Sequence, residues 1–205
     1  VICDIGAGCG LRIGEILAVD LDSIEMLPHL LHVRHQLRLV GGTIVLAAPK
    51  NHKGRTLPLP ESVAQAIAAH LTAHPATDVL LPWRVPDGPK RRARLLFSHR
   101  PGRAVQRTNW NARHWMPAVE RAGMTRGRDA GPHQLRHRFA SLMVASGMNV
   151  RQIAEWMGHQ DGGALLLRTY AHLLPAEPDM LRRQLEAALA LGEESVPNLR
   201  ESQNL

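Results

Sequence analysis

Leu30-Leu31-His32-Val33-Arg34-His35-Gln36-Leu37-Arg38-Leu39, then Val40-Gly41-Gly42 and Thr43-Ile44-Val45-Leu46-Ala47-Ala48, is the stretch that decides the fold. Leu31, Val33, His35, Leu37 and Leu39 share one side of an extended chain, the period of two that belongs to a strand. Gly41-Gly42 is a hairpin signal, so Thr43–Ala48 predicts a second strand. Arg55–Leu59 reads as a third, ended by Pro60. Together they predict a small three-stranded antiparallel sheet over about residues 30–59.

Outward from this sheet the period lengthens. Leu11–Val19 is short, apolar and helix-compatible, and Pro60-Glu61-Ser62 opens a helix through about His74. Pro75–Arg94 holds four prolines and the basic run Lys90-Arg91-Arg92-Ala93-Arg94, and reads as a solvated loop. From Thr108 the pattern is helical: Thr108–Ala122, Pro132–Ser146, Val150–Met157, Ala164–Leu173 and Glu177–Leu191, with Gly123, Gly147 and Gly158 where helices stop. The class is therefore α+β, mainly α. Residues 1–175 are expected to form one domain, with a C-terminal helix and frayed tail over 176–205. The chain opens at Val1 directly into an apolar, Gly-rich stretch, so further residues are expected in front of it.

The composition is globular: 205 residues, 44% hydrophobic, enough for one sizeable core. No apolar run has the length of a membrane span, and no charged-then-apolar stretch at the start of these residues reads as a secretory signal. Cys3 and Cys9 cannot make a disulfide framework, and they read as reduced thiols in a cytoplasmic protein. The formal charge is +7, and Lys50, Lys53 and Lys90 are the only lysines, so arginine carries nearly all of the excess. Its planar fork suits phosphate, which favours a polyanionic partner.

Individual motifs are ambiguous. Asp4-Ile5-Gly6-Ala7-Gly8-Cys9-Gly10, with Asp20 further on, resembles the opening of an S-adenosylmethionine-dependent methyltransferase. Only eight residues separate Gly10 from Val19, whereas a crossover between parallel strands takes about a dozen or more. His133 and His137 have the spacing of a zinc protease, but Gln134 replaces its general-base glutamate and no third ligand stands out, so no metal site is expected. His70 and His74 read as surface histidines. Tyr170 is the chain's only tyrosine.

The order of the motifs is more telling than any one of them. Gly10-Leu11-Arg12-Ile13-Gly14-Glu15, a lysine between strands, His133-Gln134-Leu135-Arg136-His137, Gly158-His159 and then Tyr170 resemble the tyrosine recombinase (phage integrase) family. The resemblance runs from about Gly8 to Pro175 and includes Arg55-Thr56-Leu57-Pro58-Leu59-Pro60. It implies a helical catalytic domain that cleaves and rejoins double-stranded DNA through a covalent 3′-phosphotyrosyl intermediate. The implied catalytic residues are Arg12, Lys50, His133, Arg136, His159 and the nucleophile Tyr170, with Glu15 as a buttress; no cofactor or metal is implied. His159 to Tyr170, with Gly162-Gly163, is a residue or two longer than the family usually has. The resemblance further implies a DNA-clamping domain ahead of this one, absent from these residues, and a homo-oligomer on DNA, a tetrameric synapse in a bacterial nucleoid.

The chemistry suits these residue types. A tyrosine hydroxyl can attack phosphorus and conserve the bond as a phosphodiester. Fixed guanidiniums stabilise the charge that develops on the oxygens. His133 is the expected acceptor of the tyrosine proton, and Lys50 the donor to the departing deoxyribose oxygen. Two alternatives remain: an inactive DNA-binding remnant of a mobile element, which would form no covalent adduct, and the methyltransferase, which would bind S-adenosylmethionine.

Overall fold

A computed structural model describes residues 1–50, 53–100, 102–127, 130–174 and 178–195. The Gly-rich opening is a helix, α1 (Ile2–Cys9), and not the strand a methyltransferase would need. Its glycines bring helices together. A Cβ on Gly6 would lie 2.8 Å from Leu135, and one on Gly10, which caps α1 at φ 65°, would collide with the Phe139 ring. The expected helix over Leu11–Val19 shortens to one turn, α2 (Ile13–Ile16). Beyond it the chain is drawn out, because the Val19 carbonyl accepts from the Leu96 amide at 2.9 Å and Asp20 bridges to Leu95.

The predicted sheet exists in a different arrangement. Leu30–Leu39 is two strands, β2 (Leu30–Val33) and β3 (Gln36–Val40), preceded by the short β1 (Ile24–Glu25). β4 (Thr43–Ala47) pairs with β3 in a hairpin, Leu37 opposite Leu46. The three-stranded antiparallel sheet is β1-β2-β5, with Leu31 opposite Leu57 of β5 (Arg55–Pro58). The break falls at Arg34-His35. Arg34 donates to the Asp22 carbonyl at 3.0 Å, and the His35 ring stands edge-on to Trp83, 5.7 Å between centroids.

After α3 (Glu61–Ala73), the stretch expected to be a loop is instead a hairpin, β6 (Thr77–Pro82) with β7 (Lys90–Leu95). Val79, Leu81, Ala93 and Leu95 alternate into the core while Arg92 and Arg94 face outward. The prolines sit at strand ends and in the turn, where no ladder amide is lost. A small ladder, β8 (Ser98–Arg100) with β9 (Arg103–Ala104), leads into the helices. These are α4 (Arg107–Trp110), a π-helical turn at Asn111–Trp115, α5 (Met116–Arg121), α6 (His133–Ala145), α7 (Val150–Met157), α8 (Ala164–Tyr170) with a 3₁₀ turn at Ala171–Leu173, and α9 (Pro178–Ser195). Fraying was expected from Gly192, but α9 continues to Ser195; the rest of the expected tail lies outside the described residues. Among the described residues no helix is long and apolar enough to cross a membrane.

Two hydrophobic clusters form the interior. The larger joins α1, α2, the strands and α3 around Ile5, Leu17, Leu31, Ile67 and Leu95. The smaller joins α6, α7 and α8 around Phe139, Val144, Ile153 and Leu166. α1 packs on α6 at the seam between them.

Candidate active site

The site is built on that seam, beginning with α2. Arg12 is its N-cap, and Glu15, three residues on, reaches back so that its Oε2 accepts the Arg12 amide at 2.9 Å. Gly14 between them is required by space, since a Cβ there would lie 2.9 Å from the Leu37 carbonyl of β3. Glu15 is fully buried and also accepts from the Arg12 side chain at 3.2 Å. Arg55 at the start of β5 closes the carboxylate from the other side, donating through Nη1 at 3.0 Å and Nη2 at 2.8 Å. Its Nε donates to the Trp156 carbonyl at 2.5 Å, which ties β5 to α7.

Arg136 closes the first turn of α6 and is 3% exposed. It spans the seam, donating to the Gly10 carbonyl at 2.5 Å and the Met157 carbonyl at 2.6 Å. Its Nη2 also lies 2.9 Å from His159 Nε2. As acceptor of that bond, His159 carries its hydrogen on Nδ1, a buried atom without a partner among the described residues. Burial and then Arg136 push the His159 imidazole down to about 4, so it is neutral at physiological pH. Burial and then Arg12 push the Arg136 guanidinium down to about 9, which leaves it cationic there. Burial alone would raise the Glu15 carboxyl, but the hydrogen bonds and charge of Arg55, then Arg12, hold it below the usual carboxylate range. Among the described residues, Arg12, Arg55 and Arg136 thus outnumber their single buried carboxylate. The excess is positive charge in want of an anion.

Tyr170 ends α8 and is half-buried against the smaller cluster. It lies close enough to Arg136 for that charge to act on its phenol, but burial dominates and raises it. The hydroxyl is hydrogen-bonded to His137 Nδ1, one turn beyond His133 on α6. His133 stands edge-on to His137, 4.6 Å between ring centroids, and lines a cleft of about 940 Å³ with Arg12, Arg38 and Arg107. Burial, then His137 and Arg136, push the His133 imidazole below its ordinary value. Arg12, His133, Arg136, His159 and Tyr170 are therefore brought together. Lys50 is exposed in the connection from β4 to β5, strands of two different ladders and not one hairpin, and no described side-chain bond joins it to the others.

The family model of the phage integrase family matches residues 1–177. The chain belongs to the phage integrase family. The tyrosine recombinase XerC of Alcanivorax borkumensis is 29% identical over 167 residues, covering 80% of this chain and 44% of the relative. The tyrosine recombinase XerD of Mycobacterium tuberculosis is 31% identical over 153 residues, covering 73% and 40%. The chain thus spans less than half the length of these relatives. The integrase of transposon Tn1549, solved in complex with circular intermediate DNA, superposes with a TM-score of 0.68 at 24% identity, covering 91% of this chain and 58% of that one. XerA recombinase superposes with a TM-score of 0.56 at 18% identity, covering 90% and 56%. The fold is shared with both.

In this phage integrase domain, sequence reasoning overlooked two residues at the site. Arg55 was read as part of a flanking strand, although a lone arginine opening a strand that ends in prolines was a visible signal. His137 reads as the second histidine of a false zinc pair and as the end of the His133–His137 motif, with no role of its own assigned to it. Gly158 matters through space and backbone together. It caps α7 at φ 68°, and a Cβ would stand 3.1 Å from Arg55 Nη1 and 3.5 Å from Arg12 Nη1. Gly158→Ala is expected to destabilise the domain by about 1–2 kcal/mol from the left-handed backbone alone, measured by urea denaturation.

Proposed function

We propose that this chain is the catalytic domain, within residues 1–175, of a site-specific DNA recombinase, with Tyr170 as the nucleophile. The reading is carried by one observation: a buried cationic cradle with too little counter-charge stands beside the chain's only tyrosine. A phosphodiester would supply the missing anion. Arg136, held rigid by two carbonyls, and Arg12, held by Glu15, would bind its non-bridging oxygens, with His159 bonded to Arg136 Nη2 and helping to orient it. Lys50 would protonate the departing 5′ oxygen, which is a poor leaving group as an alkoxide. Exchange requires two cleaved strands held at once. One tyrosine per chain then demands at least two copies on DNA, in keeping with a homo-oligomeric synapse.

The test is incubation with a pool of nicked duplexes of randomised sequence, followed by mass spectrometry of the peptide containing Tyr170. A nucleotide on that tyrosine is the expected result. No adduct on any duplex would favour the inactive DNA-binding remnant. Binding to the same duplexes should weaken steeply with salt, because arginines displace condensed counterions. Arg107 is exposed at the cleft, so Arg107→Ala should lower the slope of log K against log salt by about one in a fluorescence titration.

A further inference from the structure

We propose that His137, and not His133, takes the proton from Tyr170 as its oxygen attacks phosphorus; this rests on the recombinase reading above. His137 is the residue in contact with the reacting atom, through the hydrogen bond between its Nδ1 and the Tyr170 hydroxyl. The packing of α8 on α6 secures that contact. Tyr170 lies against the cluster of Phe139, Ala140, Ile153 and Leu166, and the His137 ring is 6.2 Å from the tyrosine ring, centroid to centroid. The phenol needs such a partner, because burial raises its pKa above the ordinary tyrosine value and keeps the hydroxyl protonated at neutral pH. The O–H therefore donates and Nδ1 accepts, with the imidazole hydrogen on Nε2.

His133 stands one step back. Its ring meets the edge of the His137 ring and lines the cleft with Arg12, where a phosphate would lie. No described bond joins it to the tyrosine. In the forward step the Tyr170 Oη–phosphorus bond forms, the hydroxyl proton passes to His137 Nδ1, and the bond from phosphorus to the 5′ oxygen breaks. That oxygen leaves as a hydroxyl with a proton from Lys50. In the rejoining step an incoming 5′ hydroxyl returns its proton to Lys50, and His137 gives its proton back to the departing tyrosine oxygen.

The single tyrosine makes a direct test possible. Expression with 2,3-difluorotyrosine places a more acidic phenol at position 170 and nowhere else in the chain. His137→Asn keeps an acceptor near the place of Nδ1 that cannot hold a proton. On the nicked-duplex pool it should slow adduct formation about a hundredfold, in the range of general-base effects. Fluorination should restore most of that loss, because a phenol that ionises by itself needs no base. An unslowed His137→Asn chain overturns the proposal, and so does a slow one that fluorination leaves slow, since the ring would then only pack. Rescue by fluorination in His133→Asn but not in His137→Asn moves the role to His133. No adduct from the unmutated chain removes the recombinase reading and the base together. A second measurement needs no histidine variant. In ¹⁵N-histidine spectra of the folded chain, Tyr170→Phe should move the Nδ1 resonance of His137. An unmoved His137 resonance overturns the proposal even if adducts form.

Discussion

Tyr170→Phe is expected to abolish covalent attachment to DNA while leaving noncovalent binding unchanged. Phenylalanine keeps the ring that packs on the α6–α8 cluster and removes only the hydroxyl. The lost hydrogen bond to His137 costs about 1 kcal/mol of stability, far less than the domain's reserve. The cationic groups Arg12 and Arg136 do not depend on that hydroxyl, since Arg12 is held by Glu15 and Arg136 by the Gly10 and Met157 carbonyls. The readout is a protein–DNA band resistant to denaturant, formed on nicked duplexes. No second tyrosine exists in the chain to replace the first. A band persisting in Tyr170→Phe would place the nucleophile on another residue type.

Glu15→Gln is expected to be the most damaging change to the fold at this site. The carboxylate is fully buried and accepts from Arg55 and Arg12. Removing its charge leaves two guanidiniums facing each other and a third, Arg136, nearby. Breaking a buried pair in this way costs about 3–5 kcal/mol, a large share of a typical domain's stability. Urea denaturation of the two chains at neutral pH gives the difference directly. The pH dependence has a definite sign. The folded carboxyl is held below its unfolded value, so its contribution is complete above the unfolded pKa and is lost as pH falls through the folded one. The gap between Glu15→Gln and the unmutated chain should therefore narrow in acid. A gap that stays constant down to the lowest pH would mean that the ion pair contributes nothing.

Part of this domain is local and was legible along the chain. Gly147 and Gly158 mark helix ends because a left-handed residue stops a helix whatever lies around it. Glu15 entered only as a buttress implied by the resemblance, although its three-residue spacing from Arg12 at a helix start is local and returns a carboxylate to the N-cap amide. Val150–Met157 has the predicted bounds, since Asn149 caps it and Gly158 ends it. The gathering of Arg12, His133, Arg136, His159 and Tyr170 was suggested by the order of their motifs, not by any physical property of the intervening chain.

The rest required tertiary contacts. Alternation showed that Leu30–Leu39 is extended, but not that it breaks at His35, because Asp20 and Trp83, which face that ring, come from elsewhere in the chain. The β6–β7 hairpin was hidden by its charges, since only burial reveals that Ala93 and Leu95 point inward beneath the arginines. Arg55 reads as a strand residue until Glu15, 40 positions away, is placed against it. His133 and His137 share one face of one helix, and their spacing is the same whichever of them the tyrosine meets. Which histidine holds the hydroxyl is decided by where α8 crosses α6, and that crossing is set by the packing of Phe139, Ile153 and Leu166 rather than by the motif itself.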